Sequence, residues 1–138
     1  VEKFTVSSEE LATLNYVDLI AKDQQDLFHA LHQSSWEQQS LISPNFKLLK
    51  QQRDFSEISD KNEHDIIYFD AFGARVQPEL WTEAIFKIMY AGLKDQGVLV
   101  TYSAKGSVRR AMQSVGFSVE RLQGPPGKRH MLRATKDI

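Results

Sequence analysis

Two apolar runs dominate the second half of the chain: Ile66-Ile67-Tyr68-Phe69, which closes on Asp70, and Val98-Leu99-Val100, which continues into Thr101-Tyr102. Runs without polar interruption mark strands buried on both faces of a parallel sheet, so both predict interior strands, the first of them central. Between them, Pro78 opens a helix through Leu93 with Trp81, Ile85, Ile88 and Met89 on one face, stopped by Lys94-Asp95-Gln96-Gly97. A second helix is expected from Gly106 to about Val115, where Gly116 breaks it. Residues 117–122 and 128–135 then read as two strands around Gly-Pro-Pro-Gly. Nearer the start, residues 1–5 suggest a strand. Ser7 and Ser8 followed by Glu9 and Glu10 look like helix caps, and Leu11, Leu14, Val17 and Leu19 supply a helical stripe. Helices are expected over most of residues 8–33, with Leu27, Phe28, Leu31 and Trp36 extending the buried face. Ser43-Pro44-Asn45 punctuates, Phe46, Leu48 and Leu49 suggest a strand ending near Asp54, and residues 56–65 form an exposed polar stretch.

The resulting order is β, α, β, β, α, β, α, β, β. Helices that keep separating strands imply an α/β fold with a parallel sheet and right-handed crossovers, and the last two strands imply an antiparallel hairpin at one end. In such sheets ligands bind beyond the carboxyl ends of the strands. Glu2, Asp54, Asp70 and Tyr102-Ser103 occupy those positions.

The chain has 138 residues, 41% hydrophobic and 25% charged, which suits one globular α/β domain. Cysteine is absent, which excludes disulfides, thiolate metal sites and thiol nucleophiles and fits a reducing cytoplasm. Neither a membrane-length apolar stretch nor a signal peptide is present, so a cytoplasmic location is expected. His29 and His32 stand at i,i+3 with no third ligand nearby, so a solvated helix face is the simpler reading and no metal is expected. The net charge of -1 conceals an asymmetry: from Lys105 onward there are eight basic and two acidic residues, against nine and sixteen before it. Lys105, Arg109 and Arg110 surround a helix start, and Lys128 and Arg129 adjoin the Gly-Pro-Pro-Gly loop. These clusters read either as a phosphate-binding edge or as a solvated basic face.

Asp70 is the candidate catalytic group. A carboxylate closing an apolar strand is costly to bury without partners, so a ligand explains it better than packing, although a cap for the next loop would also fit. Glu2 and Asp54 can likewise be surface or turn-capping residues.

Three segments carry a family resemblance: HDIIYFDAFGARVQPELWT (64–82), GVLVTYSAKGSVRRAMQSVGF (97–117) and GPPGKRHML (124–132). In order and spacing they resemble the methyltransferase domain of the MnmC family, bacterial enzymes of tRNA wobble-uridine modification. His130 stands where the family has Glu. The glycine-rich first strand and loop of the Rossmann-like sheet are not in this chain, which is therefore expected to be the carboxy-terminal part of one methyltransferase domain and to bind cofactor more weakly than a parent with that loop. The resemblance implies S-adenosylmethionine as cofactor, with Glu2 on the ribose hydroxyls, Asp54 on the adenine amino group, and Asp70, Ala71 and Phe72 near the methionine end. It implies methylation of the aminomethyl group of wobble uridine 34, with Lys105, Arg109, Arg110, Lys128 and Arg129 on the tRNA anticodon arm. A flavin oxidoreductase, fused or separate, would prepare the amine; nothing in this chain resembles one. Two alternatives share the fold: a non-catalytic RNA-binding or interaction module, and a methyltransferase for another amine.

Overall fold

The computed structural model describes residues 1–137, which fall into two compact units, Val1–Phe55 and the residues from Ser56 onward. In the first unit the expected helical region is three short helices, α1 (Ser8–Thr13), α2 (Tyr16–Ile20) and α3 (Gln25–Gln33). Helix α1 starts at a capping box: the Ser7 hydroxyl accepts from the Glu10 amide and the Glu10 carboxylate from the Ser7 amide. The Ser7 hydrogen bonds, backbone and then side chain, hold the Glu10 carboxyl below its usual pKa. Leu19, expected in the apolar stripe, is exposed, as are Leu27 and Trp36; Val17 is buried.

An antiparallel hairpin follows, β1 (Gln39–Ser43) and β2 (Phe46–Leu49), with an irregularity between Leu41 and Ser43. Strand β1 was not foreseen, because Gln-Ser-Leu-Ile-Ser is too short and polar to show an alternation. The strand expected over residues 1–5 contracts to a single bridge between Glu2 and Gln52. The reason is local: Glu2 Oε1 accepts from the amides of Lys3 and Phe4 at 2.8 and 3.0 Å, which diverts the chain after one rung.

The second unit holds β3 (His64–Tyr68), a 3-10 turn (Pro78–Trp81), α4 (Glu83–Gly92), β4 (Leu93–Thr101), α5 (Gly106–Ser114), β5 (Ser118–Gln123) and β6 (His130–Thr135). The single helix expected from Pro78 to Leu93 is divided at Thr82, which is extended and caps α4 through its side chain. The sheet order is β3-β4-β6-β5, with β3 and β4 parallel and the other two pairings antiparallel. The final hairpin is thus folded back so that β6 lies between β4 and β5.

Strand β3 was expected to be central and buried on both faces, and this is corrected: among the described residues its one neighbour is β4, and Tyr68 is 76% exposed. Its apolar run serves two purposes. Phe69 enters the core, while Ile66 and Tyr68 begin the rows Ile66–Val98–Thr135–Ser118 and Tyr68–Val100–Arg133–Glu120 across the other face. The polar end of the second row is joined by Arg133 and Glu120 at 2.7 Å. The buried face presents Leu99, Leu132 and Ala134 to a core completed by Phe86, Val108 and Met112 of α4 and α5.

The expected stop at residues 94–97 lies inside β4, where the pairing with β3 jumps from His64–Leu93 to Ile66–Val98 and Gln96 has φ 64°. Lys136 holds this irregular segment. Its main chain bonds Gln96 and Gly97, and its 5%-exposed side chain donates to Leu93 O at 2.7 Å and Asn62 Oδ1 at 2.8 Å. No described helix is long and apolar enough to cross a membrane.

Candidate active site

Beyond β3 the ladder continues for one residue, with the Phe69 amide on Val100 O, and the chain then turns away as Asp70-Ala71-Phe72. Two aromatic donors grip this segment. The Tyr102 hydroxyl donates to Ala71 O and the Trp81 indole to Phe72 O, both at 2.7 Å. Trp81 is buried and packs edge-on against Phe69 (5.1 Å between centroids) and Tyr102 (6.0 Å). The segment therefore rests on a rigid aromatic floor, while the Phe72 ring is 70% exposed and open to stacking.

Asp70, Ala71, Phe72, Tyr102 and Lys128 line one open cavity of about 400 Å³. Asp70 is exposed, so the argument that its burial demands a ligand is corrected; its position is at the lining of this cavity. Lys128 was expected with the phosphate-binding residues and here also lines the cavity that holds Asp70, its ammonium 4.0 Å above the Tyr102 ring. The loop that carries it is closed by Gly124 N to Arg129 O at 3.2 Å and Lys128 N to Pro125 O at 2.9 Å. Glycine is required at position 124, where a Cβ would collide with the Lys128 carbonyl, and Gly127 has φ 85°.

The remaining expected residues are placed as follows. Lys105 precedes α5 without a side-chain cap, Arg110 is exposed with its guanidinium over Gly106, and Arg129 is exposed. Arg109 is half-buried, and among the described residues its Nε has no hydrogen-bond partner. Glu2 and Asp54 belong to the first unit, where both engage Lys3: Glu2 through the Lys3 amide, Asp54 through the ammonium at 2.8 Å. His29 and His32 are exposed on α3, and no group of three or more His, Cys, Asp or Glu among the described residues could hold a metal ion.

Trp81 and Tyr102 had not been assigned to the site. Trp81 matched the spacing of a core residue, which it also is, and Tyr102 carried one signal, its position at the end of a buried strand. Their hydrogen bonds to Phe72 and Ala71 span 9 and 31 residues, beyond the reach of local pattern.

Residues 45–137, more than half of the chain, match a family model described as S-adenosyl-L-methionine-dependent methyltransferase. The chain is 28% identical over 148 aligned residues to the tRNA 5-methylaminomethyl-2-thiouridine biosynthesis bifunctional protein MnmC of Actinobacillus pleuropneumoniae, covering 98% of this chain and 21% of that protein. The MnmC of Paraburkholderia phymatum is 37% identical over 68 residues, 49% of this chain and 10% of the relative. The chain thus spans about a fifth or less of the length of these relatives. Among solved structures, MNMC2 from Aquifex aeolicus superposes with a TM-score of 0.56 at 28% identity, covering 64% of this chain and 30% of that one. With a mixed α/β sheet of the expected type and a strand-end carboxylate on an aromatic floor, this chain belongs to the S-adenosyl-L-methionine-dependent methyltransferase family and is MnmC-like within it.

Proposed function

We propose that this chain is one methyltransferase domain that methylates the aminomethyl group of wobble uridine 34 in tRNA, the base being 2-thiolated, in the cytoplasm. The observation that carries the proposal is the Asp70–Phe72 segment, held by two hydrogen bonds in a cavity that also contains a cation. The donor set suits both the cofactor and an alkylamine. A carboxylate attracts a sulfonium or an ammonium, an exposed aromatic ring stacks on a base, and the Lys128 ammonium meets an anionic group. S-adenosylmethionine, when bound, supplies a methyl group on a positively charged sulfur. Asp70, Ala71 and Phe72 are proposed for its methionine end.

An alkylamine is protonated at neutral pH and reacts only through a free lone pair, held about 3–3.5 Å from the carbon it attacks. Asp70 accepts a hydrogen bond from the amine, orients it, and receives or relays the proton it must lose. Phe72 stacks on the uracil ring. Lys105, Arg109, Arg110, Lys128 and Arg129 contact phosphates of the anticodon arm, which orient the RNA without reading its sequence. A flavin oxidoreductase, fused or separate, is proposed to prepare the acceptor amine on the same base. The test uses the intact protein and labelled S-adenosylmethionine, with tRNA bearing the aminomethyl base set against free small amines. Incorporation into tRNA alone supports the proposal; transfer to small amines at equal kcat/KM would move the substrate elsewhere, and transfer to neither would leave a non-catalytic module.

A further inference from the structure

Tyr102 makes two contacts with other residues that line the cavity. Its hydroxyl holds the Ala71 carbonyl at 2.7 Å, next to Asp70, and its ring carries the Lys128 ammonium at 4.0 Å. The side chain is half-buried and stands edge-on to Trp81, whose indole holds the Phe72 carbonyl. We infer that Tyr102 is the positioning residue of this site: one side chain sets the main chain that bears Asp70 and Phe72, and also seats the cation that meets the anionic part of the acceptor. Burial first, and the negative charge of Asp70 second, hold the phenol above its usual pKa of 10.0, so it remains a donor at every pH useful for catalysis. The hydroxyl and the ring are separable. Tyr102→Phe removes the hydrogen bond and keeps the seat for Lys128; Tyr102→Leu removes both.

The consequence is a division of kinetic effects. Without the hydroxyl the Asp70–Phe72 segment loses its anchor at Ala71 and keeps the one from Trp81, and small misplacements of a reacting pair are expensive in rate. Without the ring, Lys128 loses its seat and the electrostatic contact to RNA weakens. In the intact protein, Tyr102→Phe is expected to lower kcat about tenfold with little change in KM for tRNA. Tyr102→Leu should lower kcat similarly, raise KM as well, and reduce the slope of log affinity against log salt by about 1. Should the Leu variant not fold, Tyr102→Met, a flexible apolar filler, replaces it.

The kinetic arm rests on the methyl-transfer reading above, so amide hydrogen exchange at Val76 and Gln77, whose amides donate to Gly73 O just after this segment, is measured alongside it. Exchange should accelerate in the Phe variant whatever the acceptor is. Faster exchange in a protein that methylates no tRNA amine would uphold the positioning role and overturn the substrate. Unchanged exchange with unchanged kcat in Tyr102→Phe, or a salt slope common to the Phe and Leu variants, would overturn the positioning role itself.

Discussion

At the scale of single residues the proposed chemistry rests on Asp70, the carboxylate just beyond β3. Asp70→Asn preserves shape and hydrogen-bonding reach while removing the base, so the variant should fold normally and lose about 10²-fold or more in methylation. Near-wild-type turnover would remove Asp70 from the mechanism. Trp81→Phe is a different kind of change, since it keeps an aromatic ring in the cluster with Phe69 and Phe86 but leaves the Phe72 carbonyl without its donor. A loss of about 1 kcal/mol in stability is expected, read from the urea midpoint, with a larger proportional fall in activity than in stability. An ultraviolet titration subtracting Tyr102→Phe from wild type should show Tyr102 ionising above the usual 10.0, because burial and the Asp70 charge both oppose the phenolate. Since the folded-state value is raised, the stability it contributes is intact below 10.0 and is lost as pH climbs through the higher folded value.

At the scale of elements the irregular start of β4 is the segment most dependent on a distant partner. Four residues between Leu93 and Val98 bulge out of the ladder, and Lys136, from the end of β6, gathers Leu93 O and Asn62 Oδ1 beneath them. The ammonium also lies 5.1 Å from the Tyr90 ring, and Leu93 O is at the carboxyl end of α4, where a cation is favoured. Lys136→Met fills the same space without a donor, leaving both acceptors unsatisfied. The expected loss is about 2–3 kcal/mol, seen as a lower urea midpoint at an unchanged m-value. An unaltered midpoint would show that the rest of β6 holds the bulge unaided.

At the scale of the whole molecule the charge asymmetry is the property proposed to meet RNA. Five of the eight basic residues from Lys105 onward, Lys105, Arg109, Arg110, Lys128 and Arg129, lie at the start of α5 and in the β5–β6 loop, and Lys128 brings that loop to the cavity. Neutralising Arg109, Arg110, Lys128 and Arg129 together should weaken tRNA binding and flatten its salt dependence, since each phosphate contact releases counterions. Filter binding across a salt series decides it, an unchanged slope meaning that these side chains are only a solvated face.

Local pattern by itself determined the helices around Ser8–Gln33, the apolar runs that became β3 and β4, helix α5 with its Gly116 stop, and the closing hairpin around Gly-Pro-Pro-Gly. It also located a carboxylate beyond a strand end, because periodicity, caps and turn residues act over a few positions of chain. Only the tertiary structure decided that β6 enters between β4 and β5, that β3 stands at an edge with Ile66 and Tyr68 exposed, and that Asp70 is exposed. It alone paired Tyr102 with Ala71 across 31 residues and Lys136 with Asn62 across 74. The physical reason is common to these cases: an apolar run shows that a strand is to be covered but not by which neighbour, and a lone Tyr or Lys shows a donor but not its acceptor. Both are chosen when distant segments pack and buried polar atoms, with few exceptions, find partners.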